Sequence, residues 1–175
     1  MMKIEHEKPV ANFDFSQDDL SNEQKIFYDY WIKIKGDRLM PARSDFDPVD
    51  LPRIVPYLSL EDVTYDPIRF QVRLVGGQTS SARDSKGQFL DEIDGTEDII
   101  HMLKQMVERK EPYHYISNIT WDDRTYKTYS SLIVPYSDDG DRVTLAMACH
   151  HQISMNDNHA YRMTIINQRE YRFSL

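Results

Sequence analysis

Cysteine is almost absent. The lone Cys149 excludes a disulfide framework and any cysteine-based zinc site, and leaves a buried, inert thiol as the expected role. No stretch approaches the roughly 20 apolar residues of a membrane helix, and Met1 to Pro9 lacks the apolar core of a signal peptide. Positive charge is also short, with 21 Lys and Arg against 29 Asp and Glu and a net charge of −8. No basic run interleaved with aromatics offsets that excess, so nucleic acid is not an expected partner. These absences predict a cytoplasmic protein. The 175 residues are enough for one domain with its own core. The 11 tyrosines supply rings with an apolar body and a polar tip, suited to a sheet surface or a semi-polar cavity.

Residues 1–20 are polar, carry Phe13 and Phe15 without helical period, and read as an irregular arm. Ser21-Asn22-Glu23-Gln24 fits a capping box, and the helix it opens is expected to run to Gly36. Ile26, Phe27, Tyr30, Trp31 and Ile34 share one stripe of that helix, while Tyr28 and Ile32 lie away from it and mark a second apolar contact, as with a dimer partner. Asp47-Pro48 starts a short helix that Pro56 stops, and a strand follows from Tyr57 to Val63. Its faces are Leu58, Leu60 and Asp62 against Tyr57, Ser59, Glu61 and Val63. Ile68, Phe70, Val72 and Leu74 alternate with Arg69, Gln71 and Arg73, which gives a second strand and a hairpin through Tyr65-Asp66-Pro67.

Gly76-Gly77 ends that strand and a polar stretch of loops or short helical turns runs from Gln78 to Gln88. Thr96 caps a helix from Glu97 to Arg109, whose stripe is Ile99, Ile100, Met102, Leu103, Met106 and Val107. Three strands are expected over Pro112–Trp121, Tyr126–Tyr136 and Arg142–Ile153. Asp122-Asp123 and Ser137-Asp138-Asp139-Gly140 supply the turns. The last strand sets large residues, Leu145, Met147 and Cys149, against small or polar ones, Ala146, Ala148 and His150. Tyr161 to Ile166 fits either a short strand or a helix. The order of elements predicts an α+β fold, a five-stranded antiparallel sheet with helices on one face and an N-terminal flanking helix.

Tyr30-Trp31, the run Leu39-Met40-Pro41-Ala42-Arg43-Ser44-Asp45-Phe46-Asp47-Pro48, Leu51-Pro52-Arg53, Pro56-Tyr57-Leu58, Arg69 to Gly76 and Val134-Pro135-Tyr136-Ser137-Asp138-Asp139-Gly140 carry a resemblance. Together they resemble the short, often stand-alone PAS-like proteins found mainly in alphaproteobacteria, over about Gln24 to His150. The resemblance implies a sensory or adaptor module that works through association with another signalling protein or a second copy, with a cavity open to a small molecule. The chain departs from the family pattern at Gly76-Gly77 and at Asp84-Ser85-Lys86-Gly87, in the segment that walls the cavity. No ligand is therefore carried over. The parts would be an arm at 1–20, a flanking helix at 21–36, the domain at 37–155 and an extension at 156–175.

On this scheme the pocket walls are Phe70, Val72, Leu74, Leu103, Met106, Leu145, Met147 and Cys149, with polar tips from Tyr113, Tyr115 and Tyr129. Tyr28 and Ile32 form the interface. Haem is disfavoured because His101 lies about 180° from the apolar stripe of its helix. A covalent flavin adduct is disfavoured because Cys149 is on the last strand rather than the helical side, and the cofactor, if any, is not identified. Cys149 and His151 share a face but are too few for a structural metal. His114 falls on the face opposite Tyr113 and Tyr115 and is expected at the solvent or an interface. Two alternatives stand beside the sensor. One is a cone-shaped α+β hydratase or isomerase with Asp62 and His151 as acid and base and Tyr113 or Tyr129 as oxyanion donor. The other is a ligand-free interaction module.

Overall fold

A computed structural model describes residues 8–79, 85–121 and 125–153. Helix α1 spans Asn22–Lys35, α2 spans Glu97–Arg109, and the strands are β1 (Leu58–Thr64), β2 (Arg69–Val75), β3 (Tyr113–Trp121), β4 (Thr125–Tyr136) and β5 (Leu145–Ile153). They form one antiparallel sheet in the order β2-β1-β5-β4-β3. The expected α+β architecture is the one observed. The alternatives left open at Tyr161–Ile166, the extension at 156–175 and the turn at Asp122-Asp123 lie outside the described residues.

Helix α1 begins and ends as its sequence dictates. The Ser21 side chain accepts from Gln24 N, Gln24 returns to the Ser21 backbone, and Gly36 closes α1 at φ 57°. The boundaries of α2 are those expected, but Thr96 does not cap it through its side chain. Its hydroxyl instead donates to the carbonyls of Leu90 and Ile93, which fastens the helix start to the preceding turn. Short 3-10 turns at Arg43–Asp45, Pro48–Asp50 and Val55–Tyr57 fill the link from α1 to β1. Asp47 caps the second by accepting from Val49 N at 2.9 Å. Pro56 sits inside the third turn rather than ending a helix, because 3-10 geometry leaves its missing N–H unneeded there.

The two faces of the sheet bury separate cores. One face packs Val63, Phe70, Val72, Tyr113, Tyr115, Ile133, Ala146 and Ala148 under Met102, Leu103, Met106 and Val107 of α2. The other packs Leu58, Leu60, Leu132, Val134, Tyr136, Leu145, Met147 and Cys149 under Phe27, Tyr30 and Trp31 of α1. Helix α2 therefore covers one face, and the N-terminal flanking helix α1 covers the other. On α1 the buried positions are Gln24, Phe27, Tyr30 and Trp31, and Ile26 is 51% exposed. The stripe is turned toward Gln24, whose Nε2 donates to the carbonyls of Ser130 and Cys149, each at 3.1 Å.

Residues 8–20 run along the edge of the sheet. Asn12 pairs with His114 in both directions, at 2.8 and 2.9 Å, and so covers the outer edge of β3. Phe13 then lies 5.6 Å from the Tyr113 ring on the α2 side, and Phe15 lies 5.4 Å from the Tyr28 ring on the α1 side. Strand β5 starts at Leu145 rather than Arg142, because the Asp139 carboxylate takes the N–H groups of Asp141 and Arg142 and holds them in the turn.

Candidate functional site

Register decides which side chains meet. Opposed pairs Tyr115↔Ser131 and Ser131↔His150 put three polar residues of β3, β4 and β5 on the α2-covered face. Ser59 and Glu61 of β1 share that face, opposite Ala148 and Ala146. His150 Nδ1 is 2.8 Å from Ser131 Oγ and its Nε2 is 2.9 Å from Ser59 Oγ. Tyr115 stands opposite Ser131 at one end, and Glu61 lies two residues along β1 from Ser59 at the other. The result is a hydrogen-bonded link, Ser131–His150–Ser59, across three neighbouring strands, flanked by Tyr115 and Glu61.

Burial tunes Glu61 and His150 in opposite senses. It raises the Glu61 carboxyl from 4.5 to about 7, an effect that hydrogen bonding to Ser59 opposes and Asp62 reinforces. Burial also lowers His150 to about 4, so the ring is neutral at physiological pH. A neutral ring has one donor and one acceptor, which gives the link two complete arrangements. In one, His150 Nε2–H donates to Ser59 and Ser131 donates to Nδ1; in the other both bonds reverse and the histidine changes tautomer. Glu61 and His150 both keep part of their surface accessible, while Ser59, Ser131, Tyr113 and Tyr115 are buried.

Beside this link the Tyr113 hydroxyl is fully buried and has no hydrogen-bond partner among the described residues. Burial, then Tyr115 and Glu61, push its pKa well up. Tyr129 lies on the same face by register, opposite Ser117 and Gln152.

The structure brings together Phe70, Val72, Leu103, Met106, Tyr113 and Tyr115 of the expected wall. It does not bring in Leu145, Met147 and Cys149, which lie on the other face against α1. The large half of β5 fills the α1 contact, and the small half, Ala146 and Ala148, faces α2. Leu74 is also on the α1 side, because a bulge pairs Glu61 with Val72 and Leu60 with Leu74, leaving Arg73 over and reversing the alternation. Leu74 and Met147 line an open groove of about 550 Å³ with Arg43, Phe46 and Leu60. Ser59, Glu61, Ser131 and His150 were not among the expected wall residues. For Ser59 and Glu61 the signal was their place on the strand face that also carries Val63.

On the α1 face a second polar network lies behind the first. Ser130 Oγ is 2.7 Å from His114 Nε2 and donates to Gln24 Oε1 at 3.2 Å. His114 is fully buried rather than solvated, and burial lowers it to about 4. Its position between the arm and β4 accounts for this, since Asn12 pairs its backbone and Phe15 lies 6.3 Å from its ring. Ser130, Cys149 and His114 are the chain neighbours of Ser131, His150 and Tyr115. Tyr28 is half-buried, stacked 6.2 Å from Trp31, and Ile32 is 43% exposed.

Other candidates stand apart. Asp62 is held by Arg73 at 2.6 Å, and His151 lies 3.8 Å from Glu23. Asp62 pairs with Leu145, six residues along β5 from His151, or about 20 Å, so the acid–base pair of the enzyme alternative is not formed. His101 is exposed, 3.3 Å from Gln105. The Cys149 thiol is buried and pushed up to about 12, as an inert thiol should be. Among the described residues no group of three His, Cys, Asp or Glu could hold a metal ion. No described helix is long and apolar enough to cross a membrane.

A family model described as a PAS domain matches residues 20–148. The solved structure of an RNA-binding Light-Oxygen-Voltage receptor is similar at 11% identity and a TM-score of 0.48, covering 94% of this chain and 44% of that one. That of a fungal LOV domain photoreceptor is similar at 11% identity and a TM-score of 0.39, covering 63% of this chain and 94% of that one. The chain thus spans less than half the length of the first of these. No curated protein matches it.

Proposed function

We propose, from the premise that this chain belongs to the PAS-domain family, that it is a sensory and adaptor module rather than an enzyme, working in the cytoplasm through association with another protein or a second copy. Its sensing surface is the polar set from Tyr115 to Glu61 on the α2-covered face. The observation that carries this reading is the back-to-back placement of the two polar networks. Ser131 and His150, which bond each other on one face, are the next residues along from Ser130 and Cys149, whose carbonyls hold Gln24 of α1 on the other.

A ligand that reverses or breaks the inner chain shifts β4 and β5 where they grip α1. The signal leaves by α1, whose outer flank presents Ile32 and the edge of Tyr28 to a partner. A helix held by two hydrogen bonds to separate strands is sensitive to sub-ångström changes in their spacing.

Native mass spectrometry of the chain purified from its own host under mild conditions tests the sensor reading. A retained small molecule, lost in Glu61→Gln, is the expected result. A bare mass under those conditions supports the ligand-free interaction module instead.

A further inference from the structure

Residues 8–20 touch both helices as they pass the β3 edge. On the α2 side Lys8 lies 3.6 Å from Asp98, and the Arg109 guanidinium lies 4.1 Å from the centre of the Phe13 ring. On the α1 side Phe15 packs on Tyr28, and Gln17 Nε2 donates to Asp29 at 3.0 Å. Between them the Asn12↔His114 bridge ties the segment's backbone to the sheet. Ion pairs as solvated as Lys8–Asp98 add little hold, whereas Leu20, 4% exposed, anchors the base of the segment.

The fully buried His114 ring lies 6.3 Å from Phe15. Its tautomer follows from its neighbours. Ser130 Oγ gives its proton to Gln24 Oε1 at 3.2 Å, so it accepts from His114 Nε2–H at 2.7 Å. Nδ1 is then the bare nitrogen, and it has no hydrogen-bond partner among the described residues. A proton added there would create a buried charge and a buried donor without an acceptor, both costly.

The charged and titratable groups around the ring do not remove that cost. Asp19, which accepts from Ser16 N in the turn after Phe15, favours the cation but is outweighed by burial. On α1, Asp29 is taken by Gln17, and burial and then Asp29 hold the Tyr28 hydroxyl above its ordinary range. Glu23 faces His151, which stands opposite Ser130 on β5.

We propose that residues 8–16 are a strap latched by His114, which closes over the neutral ring and lifts when Nδ1 takes up a proton from water. Mild acid thereby opens the β3 edge and takes Phe15 off Tyr28. The latch lies on the α1 face and does not depend on a ligand at the Ser131–His150–Ser59 link. With the ring near 4 under the strap and back at 6.5 in water, the open fraction should grow about twentyfold between pH 7 and pH 5.

Amide hydrogen exchange followed by NMR on the ¹⁵N-labelled full chain, expressed as protection factors, tests this. The strap is read at the Asn12 and His114 amides, each of which donates to the other's carbonyl. Their protection should stay below that of Leu132 and Met147 in the sheet at both pH values and fall about twentyfold from pH 7 to pH 5. His114→Gln, which still offers Ser130 a donor, should abolish that fall. Phe15→Ala thins the cover without removing a hydrogen bond of the ring, and should raise the His114 midpoint toward 6.5, read from its ¹³Cε1 shift. Strap amides protected as strongly as the sheet, equal strap protection at both pH values, a wild-type fall in His114→Gln, or an unchanged His114 midpoint in Phe15→Ala would each overturn the proposal.

Discussion

Gly76 occupies a position where a methyl group has no room. A Cβ there would stand 2.3 Å from Pro56 O and 2.9 Å from Leu58 O, and the Gly76 N–H donates to Leu58 O at 2.7 Å. Gly76→Ala should therefore lower the urea midpoint by the equivalent of about 2 kcal/mol, while Gly77→Ala, with open space around it, should cost far less. Glu61 gives a pH signature. Its folded pKa of about 7 exceeds 4.5, so its share of stability is present below pH 4.5 and lost as pH rises through 7. His114 and His150, lowered to about 4 from 6.5, act oppositely, and their share is lost as pH falls from 6.5 through 4. Stability measured by urea titration should rise from pH 4 to 6.5, where two histidines outweigh one glutamate. Glu61→Gln should match wild type below pH 4.5 and exceed it above pH 7, by on the order of 2 kcal/mol.

At the scale of elements, Gln24 joins α1 to the sheet. Gln24→Leu leaves the carbonyls of Ser130 and Cys149 buried without that donor and should cost about 2 kcal/mol, read in the same titration. Ile32→Glu tests the outer flank of α1. If this face binds a second copy, the wild-type sedimentation coefficient should fall with dilution and the variant should run as a monomer at all concentrations. Identical sedimentation of the two would remove the interface. These elements also show what the sequence could and could not tell. The ends of α1 were legible because Ser21, Gln24 and Gly36 act locally. The two halves of β5 were legible as halves, but alternation does not say which helix covers which face, so Leu145, Met147 and Cys149 were placed on the wrong side. Leu74 was misplaced because a bulge depends on the partner strand and leaves no local mark at Arg73. Gln24 was legible as a cap and not as an anchor, since its bonds reach residues more than 100 positions away.

For the whole molecule, the central claim is that the polar chain on one face of the sheet is felt by the helix on the other. Ser59 is the link to perturb, because it lies on β1, makes no described contact with α1, and holds His150 from the side. Hydrogen exchange of the full chain, wild type against Ser59→Ala, reads the coupling by its location. Faster exchange is expected across Asn22–Lys35, by roughly tenfold, with α2 unchanged. Exchange in α1 that is the same in both proteins, with any change confined to β1 and β5, would contradict it.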